Sequence, residues 1–127
     1  MTMYQPMTLS VLAGHVRRAE DSGIRWRLVA EFLEEYRWEQ APGRLDLLDD
    51  EPESTGDERW DVFLAALAEH LALHDHRRAP RWAEQRELDT FWFPFNTPAA
   101  RTDAIVHAPV AFRRRGIFVA PQELEVA

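Results

Sequence analysis

The chain has 127 residues, 46% hydrophobic, 29% charged and 11% aromatic, with a formal net charge of −7, which suits a single domain and excludes disordered and collagen-like classes. It has no cysteine, and all 15 of its basic residues are arginine, so a cysteine nucleophile, a thiolate metal site, a Schiff-base lysine and a phosphate-loop lysine are excluded. The glycines stand singly at 14, 23, 43, 56 and 116, and no glycine-rich turn exists to bring backbone amides against a pyrophosphate.

Leu9, Leu12, Val16 and Ala19 recur at helical spacing, with Thr8 or Ser10 available as a cap and Gly23 as the expected stop. A second helix is predicted from about Ile24 to Trp38, with Leu28, Val29, Phe32, Leu33 and Tyr36 on its apolar stripe and Glu31, Glu34 and Glu35 outside. Pro42 is expected to open a short turn holding Leu45 and Leu48, before the acidic loop DDEPESTGDE. Thr55 and Glu58 match a capping box, after which Trp60, Phe63, Leu64, Leu67 and Leu71 predict a helix to about His74.

Past HDHRRAP, Pro80 is expected to start a short helix through Trp82 that ends near Glu87. In WFPF, Pro94 forbids a continuing helix and biases Phe93 toward extended backbone, so Trp92, Phe93 and Phe95 are expected to form a strap with rings pressed into the helices. Thr97 and Pro98 restart a helix to about His107, Pro109 begins a further turn through Arg113, Gly116 fits a left-handed stop, and Ile117 to Val119 reads as extended. The expected class is all-α: a compact, irregular domain of five to six helices spanning residues 1–127, with the aromatic strap and a short extended C-terminal segment. No stretch of 18 apolar residues occurs and MTMYQPMTLS has no signal-peptide pattern, so the expected location is cytoplasmic.

Charge is unevenly spread. Glu31 to Asp61 holds 12 acids against three arginines, a net of −9, whereas His76 to Phe118 holds eight arginines against four acids, a net of +4. The overall acidity disfavours simple nucleic-acid binding, because phosphate contacts need a basic surface.

Four groups are candidate sites. His70 and His74 stand one helical turn apart beside Glu69, Asp75 and His76, a weak metal pattern that lacks the glutamate placement of HEXXH; the plainer reading is histidines favoured by a helix C-terminus. Asp103 and His107 are a turn-spaced pair that could act as base and orienter but has no nucleophile in sight. Arg113, Arg114 and Arg115, expected to be exposed beside Gly116, could clamp an anion in forked hydrogen bonds, or complement a helix end with one of them turned inward over the aromatics. Trp92, Phe93 and Phe95 either fill the core or anchor a partner.

Through WFPF, AFRRRGIFVAPQEL and LLDDEPESTGDERWDVFLAALAEHL, about residues 24 to 126, the chain resembles a group of small actinobacterial helical proteins often found beside nucleotidyltransferase-like toxin genes. A similar tail follows helix-turn-helix domains in antitoxin-like regulators, but no DNA-reading helix-turn-helix is recognisable in this chain. The resemblance implies a non-enzymatic, antitoxin-like or accessory protein whose partner is a nucleotidyltransferase-type toxin. Trp92, Phe93, Phe95 and Arg113 to Arg115 are the expected contact residues, the acidic region is a second face, and no cofactor is implied. A nucleic-acid-associated regulator using the arginine triplet, and a metal-dependent enzyme using His70 and His74, are the alternatives.

Overall fold

A computed structural model describes residues 5–40 and 43–125. Among the described residues five α-helices follow in order: α1 Leu9–Arg18, α2 Ser22–Trp38, α3 Glu58–His74, α4 Pro98–His107 and α5 Val110–Arg113. Three 3-10 segments, Gly43–Leu48, Arg81–Ala83 and Pro121–Leu124, turn the chain between and after them. The class is all-α, as the helical spacing predicts.

α3 is the centre. From Trp60 to Ala68 only Asp61 escapes full burial, and a helix apolar on nearly every side must be covered all round. α1, α5 and the Arg81–Ala83 turn pack on it, and α2 packs on α1. One aromatic cluster spans these elements: the Trp26 ring centroid lies 5.0 Å from Trp60, 5.1 Å from Phe63 and 4.8 Å from Phe95, while Phe112 of α5 lies 5.4 Å from Phe63. Tilted and edge-on pairs at these separations add to the stabilisation from burial alone.

Local chemistry sets most boundaries, and the sequence reading is corrected at three places: Gly23, Thr55 and the segment after Pro80. Thr8, not Ser10, caps α1 by accepting from the Val11 amide, and α1 ends at Ala19. Gly23 does not stop it; Asp21 accepts from the Ile24 amide and caps α2, so Gly23 lies in the first turn of that helix. The cap of α3 is Asp57, not Thr55, because Asp57 accepts from the Arg59 amide. Thr55 instead gives both its amide and its hydroxyl to Asp61, each at 2.7 Å, and Ser54 adds its hydroxyl at 2.7 Å. The acid that returns to the loop is therefore Asp61 and not Glu58.

The helix expected from Pro80 to near Glu87 is only the three-residue turn Arg81–Ala83, and it is held by the Trp82 indole N–H donating to the Leu48 carbonyl at 3.0 Å. Pro42 lies outside the described residues. Thr97 caps α4 with Pro98 in its first turn, and Pro109 precedes α5. Gly116 has φ +84°, which a residue without Cβ adopts at little cost.

Candidate functional site: the aromatic and arginine face

The strap follows the alternation of extended backbone, in which successive side chains point to opposite sides. The Trp92 amide donates to Gly116 O at 2.8 Å and the Phe118 amide to Trp92 O at 2.9 Å, making a parallel bridge between Trp92 and Ile117. Trp92 then turns inward, 5.7 Å from Trp60 and 6.4 Å from Phe63. Phe91 and Phe93 turn the other way onto Phe118, each at 5.1 Å, with Phe93 stacked at 15°. Beyond Pro94 the chain bends, and Phe95 joins Trp26 in the aromatic cluster. Of the three rings read as contact residues, Trp92 and Phe95 brace the helices and Phe93 belongs to the surface.

The surface cluster is flanked by cations. The Arg101 guanidinium sits 4.0 Å from the Phe93 ring centroid and that of Arg113 5.7 Å from Phe118, within the range where a cation is drawn to an aromatic face. Arg113 also donates to the Ile105 carbonyl at 2.8 Å, and Arg101 to the Asn96 side chain at 2.7 Å. Among the described residues neither arginine forms an ion pair. Phe91 is 73% exposed, the most open ring of this cluster.

The arginine triplet is split by the fold. Arg113 and Arg114 are exposed as expected, but Arg115 is completely buried. Arg115 Nη1 donates to Glu69 Oε1 at 2.7 Å and to Ala111 O at 2.8 Å, and Nη2 donates to Ala83 O at 2.8 Å. Arg114 grips the same carboxylate with two bonds, Nε to Oε1 at 2.7 Å and Nη2 to Oε2 at 3.0 Å. One arginine does turn inward, but toward a carboxylate and two carbonyls and not over the aromatics. Burial pushes the Glu69 carboxyl up, yet hydrogen bonds from Arg114 and Arg115 outweigh it and hold the group below its ordinary value. Only Arg113 of the three remains at the aromatic face.

The other candidates lie elsewhere. His70 and His74 stack edge-on with centroids 4.5 Å apart. Burial first, then the neighbouring His74, lowers the His70 pKa to about 4. Asp75 is taken by Tyr36 and Arg44, and His76 sits at φ 57° beyond the end of α3. Among the described residues no three His, Asp or Glu side chains are placed to hold a metal. Asp103 and His107 are hydrogen-bonded at 2.8 Å on the exposed side of α4, and Asp103 also receives the Gln122 amide, which ties the last turn to that helix.

Sequence reading missed Phe91, Phe118 and Arg101. The usable signal was the alternation of Phe91 and Phe93 about Trp92 in a segment already expected to be extended. No described helix is long and apolar enough to cross a membrane. Comparison with family models, curated proteins and solved structures finds no match.

Proposed function

We propose that this chain is a non-enzymatic interaction module that docks a protein partner on the face built from Phe91, Phe93 and Phe118 with Arg101 and Arg113. The observation that carries the reading is the position of those rings: Phe93 stacks on Phe118 and Phe91 meets Phe118 edge-on, outside the aromatic core, with guanidinium groups over Phe93 and Phe118. Aromatic and arginine side chains are the types enriched where partners bind tightly. The resemblance to proteins encoded beside nucleotidyltransferase-like toxins supports an antitoxin-like or accessory role with such a toxin as partner.

The acidic region from Glu31 to Asp61 supplies a second, oppositely charged surface, which suits charge-steered approach to a basic cleft. A phosphate-clamping role for the arginine triplet is less favoured, because Arg114 and Arg115 already hold Glu69. The test is purification of the tagged chain from its native host at low salt, with mass spectrometry of what accompanies it. A stoichiometric nucleotidyltransferase-like protein is the expected result, and recovery of the chain alone overturns the reading.

A further inference from the structure

Arg101 stands in the first turn of α4 and Arg113 ends α5, and the fold holds each guanidinium twice. Arg101 lies 4.0 Å from the Phe93 ring centroid and gives Nη1 to Asn96 Oδ1 at 2.7 Å. Arg113 lies 5.7 Å from the Phe118 centroid and gives Nη2 to the Ile105 carbonyl at 2.8 Å. A guanidinium carries several N–H donors in a fixed fork, so each arginine keeps donors for a further acceptor in an orientation already set. An acceptor that binds there orders less side-chain freedom than one that binds a loose arginine.

What the two cations lack is an anion. Asp103, two positions from Arg101, is taken by His107 and Gln122. Asp89 on the strap and Glu123 in the closing turn are exposed. Among the described residues no carboxylate pairs with Arg101 or Arg113.

Carboxylate and phosphate both fit a guanidinium fork, and the rings decide between them. A nucleic-acid strand is gripped by bases stacked on open aromatic faces. Here Phe93 stacks on Phe118 at 15° and has Arg101 over its ring, while Phe118 has Arg113 as well, so both rings hold partners where a base would lie. Phe91, edge-on to Phe118 and 73% exposed, offers an apolar contact that a side chain can cover.

We propose, on the docking reading above, that the partner presents an acidic polypeptide segment to this face, with carboxylates on Arg101 and Arg113 and an apolar side chain against Phe91. The carboxylates supply the anions these cations lack, in charge-assisted hydrogen bonds. Covering Phe91 removes the most open ring of the cluster from water.

The test is selection of random phage-displayed peptides of about twelve residues against the immobilised chain, followed by fluorescence anisotropy of the synthetic consensus peptide. The result expected is a consensus that holds both acidic and large apolar residues. Exchange of its Asp and Glu for Asn and Gln, or the Arg101→Gln, Arg113→Gln double variant of the chain, should each weaken binding about tenfold, and Phe91→Ser about fivefold. Both arginines are exposed; if the double variant fails to fold, Arg101→Gln alone decides, with a loss of about threefold expected. No enrichment, undiminished binding by the folded variants, or tighter binding of a single-stranded oligothymidylate than of the peptide overturns the proposal. An acid-free consensus that still needs Phe91 also overturns it while leaving the docking face standing, whereas peptides indifferent to both Phe91 and the arginines strike the docking face as well.

Discussion

Arg115, with no exposed surface, reaches back 46 positions to donate to Glu69 Oε1 at 2.7 Å, and in doing so it joins α3 to the chain leaving α5. The same guanidinium caps the carbonyls of Ala111 and Ala83, so one side chain fastens three segments. This is the structural half of an arginine triplet whose other end borders the proposed docking face.

Breaking that pair should be severe. Glu69→Ala leaves the Arg115 charge buried without its carboxylate, for which about 3–5 kcal/mol of destabilisation is expected. A Glu69→Leu, Arg115→Met double variant removes both charges and should lose less than Glu69→Ala alone. Urea denaturation of the three proteins checks the order, and a double variant less stable than the single one would show that the carbonyl contacts matter more than the charge pair.

His70 makes stability depend on pH in a definite direction. Its pKa is about 4 in the folded chain against an ordinary 6.5. As pH falls from about 6.5 toward 4, the unfolded chain takes up a proton that the folded chain refuses, so stability decreases over this window and is fully present above it. The loss attributable to His70 should reach about 2–3 kcal/mol. His70→Phe should flatten the profile between pH 7 and 5 relative to the parent, as read from denaturation midpoints; an unchanged slope would remove His70 as its source.

The start of α3 discriminates between two caps. Asp61→Ala removes an acceptor for Ser54 and for both Thr55 groups, and should destabilise by about 2 kcal/mol because the Thr55 amide is left without its partner, whereas the hydroxyl keeps the Asp57 carbonyl. Glu58→Ala, at an exposed position, should change stability by less than about 0.5 kcal/mol. A larger effect at Glu58 than at Asp61 would restore the capping box expected from the sequence.

Where neighbouring residues decide the outcome, the sequence was legible. Thr97 with Pro98, Pro109, and Gly116 at φ +84° each act within one turn, and α4, α5 and the stop after α5 lie where those residues predict. Near α3, Thr55, Asp57, Glu58 and Asp61 are all polar and within reach of the same amides, so local pattern could not choose between them. The pairing of Arg115 with Glu69 depends on how α5 packs against α3, and no local signal carries it. The outward face of the strap needed two facts together, the alternation of Phe91 and Phe93 and the pairing of Trp92 with Ile117, and only the first can be read in one dimension.

If charge steers the partner's approach, raising the salt concentration from about 50 to 300 mM should slow association far more than it speeds dissociation. Stopped-flow or surface-based kinetics with the recovered partner measures this directly. A salt-independent association rate would leave the apolar rings as the whole of the interaction.

The docking face is tested most directly by quantitative affinity capture from the native host, with the parent beside a Phe91→Ser, Phe93→Ser, Arg113→Ala variant of equal folded stability. The account predicts a stoichiometric nucleotidyltransferase-like partner with the parent and at least a tenfold reduction with the variant. Equal recovery of the partner by both proteins would contradict it.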